Sequence, residues 1–255
     1  MSRHRSSSRS TPAIPAAFPR WPRLRAWAVR SVLMMAALAL ALVLAWPWPA
    51  VGQGRSPADA PSVLEAVQVW LDGWTTMQAG FELRNRHRLT GLETRWSGRL
   101  WAERPDRVRV EFDRPRGPIV VAAGGRWTTV DETPDAATAW SEDARAPGIA
   151  WAFEVLSGRV RLGDAVVARG LDARASGFSG DVIEVRPRSP EVRLERVLLY
   201  VDARPSRRGL IHRALSVDPA GNTTRVDLLE VQVNRRLPPG LFVPHVPAGA
   251  LRVAP

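Results

Sequence analysis

Three histidines lie beyond residue 52, His87, His212 and His245, and they are the first candidates for metal or acid–base chemistry. A zinc centre needs ligands at defined spacings such as HExxH on one helix face. These three stand far apart, and each reads as a surface or strand-end residue. Cysteine is absent, which removes thiolate nucleophiles, thiolate metal sites and disulfides together. Gly177-Phe178-Ser179-Gly180 approaches a nucleophile elbow, but Asp181 stands where G-x-S-x-G requires its second glycine, so a β-turn is the better reading. No glycine-rich phosphate loop follows a strand, and no spacing pairs the carboxylates. Asn222-Thr223-Thr224 is a formal glycosylation sequon, but it sits in a hairpin turn. The residue types point to binding: no enzyme activity, no cofactor and no metal are expected.

The binding signal is aromatic. The chain has 11 Trp against one Tyr, and seven of the tryptophans (70, 74, 96, 101, 127, 140 and 151) follow the N-terminal region. Large side chains with few polar tips suit an apolar interior, either an ordinary core or a cavity. Charge adds little. Every one of the 36 basic residues is Arg, and the formal charge is +11. Seven of those arginines precede residue 32 and all 25 acids follow Gly52, which leaves 29 arginines against 25 acids in the remainder. The basicity belongs mainly to the leader, and no nucleic-acid partner is expected.

These residues must be carried by elements, and the chain divides readily. Val32 to Ala45 is unbroken Val, Leu, Met and Ala, with arginines before it and Trp46-Pro47-Trp48-Pro49 and Ala50-Val51-Gly52 after it. Basic, apolar, small is the order of a secretory signal. Residues 1–52 therefore read as a basic leader and signal peptide, with an uncleaved inner-membrane anchor as the minor alternative; export to the periplasm follows. Residues 53–60 form a linker, and 61–255 a single domain. Ser62 with Glu65 suggests a capping box, and Val63, Val67, Trp70 or Leu71, Trp74 and Met77 form one stripe, so a helix is expected over Pro61–Gln78.

After Gly80 the period falls to 2. Trp96, Gly98, Leu100 and Ala102 alternate with charged or polar neighbours, as do Val108, Val110 and Phe112. Ile119 to Ala122 and Trp127 to Val130 flank Gly124-Gly125, a tight-hairpin signal. Further strands are expected at Val182–Arg186, Val192–Val201, Leu210–Val217 and Thr223–Val233, with Asp218 through Asn222 as a strong turn. Thr133–Pro147 reads as a loop, and Gly148–Leu156 as a short helix. Successive strands with short turns predict an antiparallel meander.

From about Leu64 to Val253 the chain resembles the periplasmic outer-membrane lipoprotein carrier family (LolA-like). Ser97 through Pro105 looks like that family's strand running into Arg-Pro; Arg107 through Phe112 and Arg114-Pro115 continue it. Gly124-Gly125-Arg126-Trp127 and the ending Asp218–Asn222, Thr224, Asn234, Leu237, Phe242, Val246-Pro247 and Gly249 add to it. The resemblance implies a mainly β fold with helices (α+β): a curved, incompletely closed antiparallel β-barrel with a helical lid over an apolar cavity. It implies lid contact by Arg104 and lid residues Trp151, Phe153 and Leu156. For the cavity, alternation together with the resemblance favours Trp96, Leu100, Val108, Val110, Phe112, Ile119 and Val121. The implied role is a monomeric periplasmic carrier that shuttles acylated lipoproteins, or other lipidated cargo, from the inner to the outer membrane. Its implied partners are an inner-membrane release complex and an outer-membrane receptor. A lipid- or lipoprotein-sensing regulatory module anchored at the inner membrane is the alternative. The lipid-linked receptor of the same system needs a modifiable Cys, which this chain lacks.

Overall fold

The computed structural model describes residues 58–132, 137–143, 161–190, 192 and 194–253. Helix α1 (Ala60–Asp72) opens with Pro in its first turn, where a missing N–H costs nothing, and follows Asp59 as N-cap. No side-chain capping bond forms there, so the Ser62–Glu65 box is not used. Val63, Val67 and Leu71 are buried along one stripe, each contributing about 1.5–3 kcal/mol of apolar burial. The helix stops well before the expected Gln78. Gly73 caps it with its N–H toward Val69 and Trp70 carbonyls, and Asn234 secures the break. The Asn234 Nδ2 donates to Gly73 O at 3.0 Å, and its Oδ1 accepts from Thr75 N at 2.8 Å. Met77, Ala79, Phe81 and Leu83 then alternate inward, which is strand geometry.

The strands are β1 (Thr76–Arg86), β2 (Glu93–Glu103), β3 (Arg107–Arg114), β4 (Ile119–Ala123), β5 (Arg126–Glu132), β6 (Ala137–Asp143), β7 (Val166–Leu171), β8 (Asp181–Pro187), β9 (Arg196–Val201), β10 (Ile211–Val217), β11 (Thr223–Val233) and β12 (Leu251–Val253). They make one sheet in the order β12-β6-β5-β4-β3-β2-β1-β11-β10-β9-β8-β7. Every pairing is antiparallel except β12 with β6. The sheet is curved and remains open, with β12 and β7 as its two edges.

Three of the expected turns have a visible cause. Gly124 and Gly125 take φ of 58° and 78°, the left-handed pair that a two-residue hairpin demands. Asp218 accepts from Asn222 N and from Asn222 Nδ2, closing the β10–β11 turn from within. Gly177 is left-handed at φ 67° and ends the 3₁₀ turn Ala173–Ser176, after which the chain bends at Ser179 and Gly180 into β8. The segment expected as a loop, Thr133–Pro147, instead contains β6, which pairs with β5 from Glu132↔Ala137 to Arg126↔Asp143. Its Ala- and Asp-rich composition lacks strand propensity, and pairing overrides it. Strand β7 was also not apparent from the sequence. The expected helix at Gly148–Leu156 lies outside the described residues, as does the whole leader.

Helix α1 packs on β7, β8 and the one-turn helix α2 (Leu162–Ala165), on the face of the sheet that buries most of the apolar side chains. The other face carries a small apolar cluster (Val182, Leu198, Tyr200, Val217), a few further apolar residues on β4 and β5, and many of the ion pairs. Among the described residues no helix is long and apolar enough to cross a membrane.

Candidate functional site

The inner face is built by register. Across β1, β2 and β3 the partners Phe81↔Gly98↔Phe112 and Ala79↔Leu100↔Val110 stand in rows on one side. Directly opposed residues share a face, so Val110↔Val120 and Val108↔Ala122 extend those rows into β4, and Ala122↔Trp127 into β5. The result is an apolar wall in which Phe112 meets Phe81 edge-on at 5.2 Å and Trp96 at 5.6 Å. Gly98 makes this possible. A Cβ there would stand 1.9 Å from the Glu111 carbonyl oxygen and 2.8 Å from the Phe81 ring.

Of the sequence-derived cavity residues, Val108, Val110 and Phe112 are buried in this wall, and Trp96 and Leu100 are half-buried at its margin. Ile119 and Val121 are not part of it. They pair with Glu111 and Arg109, on the opposite face of the sheet. The physical reason is that Ile119–Ala122 is apolar at every position, so alternation gives no parity; the register with β3 supplies it. Val121 is nonetheless buried. Its neighbour Arg109 donates to Leu241 O at 3.0 Å, which brings the C-terminal segment over the outer surface. Met77, Phe81, Leu83, Val120, Ala122 and Trp127 belong to the inner face but were missed; for β1 the signal was present as alternation from Met77 to Leu83. Trp151, Phe153 and Leu156 lie outside the described residues.

Arg104 occupies the rim where β2 ends below the C-terminus of α1. Its guanidinium carbon lies 4.6 Å above the Trp74 ring, and its Nη1 is 3.8 Å from Asp72 Oδ1. Asp72 accepts from Gln68 Nε2 at 2.9 Å, while Gln68 Oε1 accepts from Leu162 N at 2.8 Å. One polar chain thus runs α2–Gln68–Asp72–Arg104 along the inner side of α1. Only 18% of the Arg104 side chain is exposed, and its Nε and Nη2, like Trp74 Nε1, are buried with no hydrogen-bond partner among the described residues. Burial lowers the guanidinium pKa, and the Asp72 carboxylate opposes that. An arginine carries five donors and cannot shed its charge, so unfilled donors in an apolar rim are costly.

The outer face shows the contrast. Glu184 is 2% exposed and accepts from both Arg169 and Arg186. Burial, the largest single influence, raises its pKa, but the hydrogen bonds and positive charges of the two arginines together outweigh it and lower it. Asp202, 4% exposed, takes paired bonds from Arg204 and one from His212 Nε2 at 2.9 Å. The Arg204 bonds hold its carboxyl far below the usual carboxylate range. An open pocket of about 560 Å³ beside it is lined by Ser179, Arg204, His212 and Arg213 among others. Here both Asp202 oxygens are already engaged. No group of three His, Cys, Asp or Glu that could hold a metal occurs among the described residues.

The described residues thus form an open, almost wholly antiparallel sheet with one continuous apolar face and a helix packed on that face. The chain belongs to the family described as outer membrane lipoprotein carrier protein LolA, whose model matches residues 72–245. Solved structures that it resembles include the LolA superfamily protein NE2245 from Nitrosomonas europaea, at 14% identity and TM-score 0.40, covering 74% of this chain and 99% of that one. An uncharacterized conserved protein from Thermus thermophilus is similar at 14% identity and TM-score 0.46, covering 76% and 98%. The lipoprotein LppX of Mycobacterium tuberculosis is similar at 12% identity and TM-score 0.37, covering 70% and 98%. No curated protein matches the chain.

Proposed function

We propose that the chain is a periplasmic carrier that takes the acyl chains of lipoproteins, or of another lipidated amphiphile, against the inner face of its sheet and moves them between the two membranes. Each acyl CH₂ removed from water contributes about 0.8 kcal/mol, so a multi-chain lipid does not cross an aqueous compartment unaided. A wall of Trp96, Leu100, Val110, Phe112 and Trp127 supplies the apolar surface such a crossing needs. Release is as necessary as binding, and it requires a cover held by contacts that part easily.

The observation that carries this reading is Arg104: a guanidinium set in the rim of the apolar face, stacked on Trp74, with two buried N–H-bearing nitrogens that have no partner among the described residues. A 3.8 Å ion pair to Asp72, whose side chain is 48% exposed, holds α1 only lightly. Ester or amide carbonyls of a lipidated N-terminus are acceptors of the kind those donors lack. In this reading Arg104 exchanges between the helix and the cargo.

The direct experiment is mass spectrometry of lipid extracts from the protein purified from its own periplasm. A stoichiometric acylated species is expected; extracts free of lipid and lipopeptide would sink the carrier role. Arg104→Leu is expected to keep acylated cargo but pass it to an acceptor less efficiently. Transfer at the wild-type rate would remove Arg104 from the mechanism. Sizing the N-terminus of the exported protein separates a soluble carrier from a module still anchored at the inner membrane.

A further inference from the structure

Strands β1 and β2 are 11 residues each, so the hairpin reaches about 35 Å from the Arg104 rim to its tip. That tip, residues 87–92, is fixed by its own bonds. His87 N donates to Leu92 O and Gly91 N to His87 O, both at 2.9 Å. Gly91 takes φ 65° to permit the turn, and Arg88 N donates to Asn222 Oδ1 of the neighbouring β10–β11 turn. Held in this way, the loop presents Leu89 at 86% exposure and Leu92 at 66%. One exposed leucine needs no explanation. Two on one rigid six-residue tip, with cations directly behind them, form a pattern.

The cations are Arg86, Arg88 and Arg95, all exposed. Arg95 is paired with Glu93 at 2.6 Å, whereas Arg86 and Arg88 have no carboxylate within 4 Å among the described residues. Further along the outer face Arg84 and Arg225 are each paired with a carboxylate, Glu82 and Asp227, so the uncompensated cations are those at the tip. Along the hairpin axis the order is leucine outermost and arginine next. A bilayer surface offers the complementary order of hydrocarbon within and phosphate above it, and an anionic one adds attraction that multiplies association for each arginine near it.

We propose that the β1–β2 tip docks on an anionic phospholipid bilayer, with Leu89 and Leu92 entering the interface and Arg86, Arg88 and Arg95 lying among the headgroup phosphates. The inference rests on the tip alone and stands whether or not the inner face carries acyl chains. Two leucines are too few for permanent anchorage, so the contact is reversible and sensitive to salt.

The chain has no cysteine, so Thr90→Cys in the full chain gives a single attachment point for an environment-sensitive fluorophore. Ser176→Cys, exposed at the opposite end of the strands, is the control. With vesicles of phosphatidylglycerol and phosphatidylethanolamine, the label at 90 is expected to shift to the blue and be quenched by brominated acyl chains, while the label at 176 stays aqueous. The signal should vanish on phosphatidylcholine vesicles. Adding Leu89→Ser with Leu92→Ser, or separately Arg86→Gln with Arg88→Gln, should weaken it about tenfold. Because the label reports depth locally, adsorption through residues 32–45 does not mimic the result. A label at 90 that stays in water while the chain is on the vesicle overturns the proposal and leaves the tip as a protein contact. Equal shifts at 90 and 176, or indifference to both variant pairs, overturn it as well.

Discussion

The two ends of the β1–β2 hairpin invert the ordinary distribution of side chains in opposite senses. At one end a guanidinium is buried on Trp74 with two donor nitrogens unpartnered among the described residues; at the other, two leucines stand in water. Between them the hairpin obeys the rule, with Phe81, Leu83, Leu100 and Ala102 inward and Glu82, Arg84, Arg95 and Arg99 outward. A strand pair that is conventional along its length and inverted at both tips has its stability invested in the middle, and both proposals made above fall on its ends. Asp202 offers a second buried charge for comparison. It is at least as enclosed as Arg104, yet its carboxylate oxygens are filled by Arg204 and His212.

The comparison breaks if the middle of the hairpin is tolerant. Gly98→Val should be the most damaging change, since its Cβ meets the Glu111 backbone. A loss of about 3 kcal/mol or more in urea unfolding is expected, with partial folding at worst. Next comes Asp202→Asn, which removes charged bonds from a buried site and should cost about 1–3 kcal/mol at pH 7. Its pH dependence has a fixed sign. Because the folded-state pKa lies below the ordinary 3.8, the carboxylate stabilises above about pH 4 and that contribution is lost as pH falls further. The gap in melting temperature between wild type and Asp202→Asn should therefore narrow below pH 4; a constant gap would deny that ionisation matters there.

Arg104→Leu sharpens the contrast. The 3.8 Å pair of Arg104 with Asp72 is weak and Asp72 is 48% exposed, so removing the cation leaves no buried lone carboxylate, and the melting temperature should be unchanged or raised. A drop comparable to that of Asp202→Asn would show Arg104 to be a structural residue. The smallest effect is expected for Leu89→Ser with Leu92→Ser, within about 0.5 kcal/mol, because neither leucine is buried on folding. Measurable destabilisation would mean that the tip packs against the protein.

Much of the architecture was legible from residue order. Alternation at Trp96–Ala102 and Val108–Phe112 showed the strands and their apolar faces, and Gly124-Gly125 and Asp218–Asn222 showed their turns, because those signals are local; which face turns inward came from the packing. The end of α1 was misread because Trp74 and Met77 fit a helical stripe as well as they fit a helix stop followed by a strand. Only the 159-residue separation between Thr75 and Asn234, closed by a hydrogen bond, decides between them. Strand β6 was hidden for a similar reason, being held by pairing with β5 rather than by its own propensity.

For this protein the sequence by itself determined a β-rich chain, its main hairpins, the absence of cysteine chemistry and the family pattern around Arg104-Pro105. Each of these follows from residue type, short-range period or order along the chain. The tertiary structure alone decided that Val120 and Ala122 face inward in place of Ile119 and Val121. It also decided that Arg104 is buried against Trp74 and that Leu89 and Leu92 remain exposed. Facing and burial depend on which strand lies alongside, and in an unbroken apolar run or a six-residue loop no local period records the neighbour.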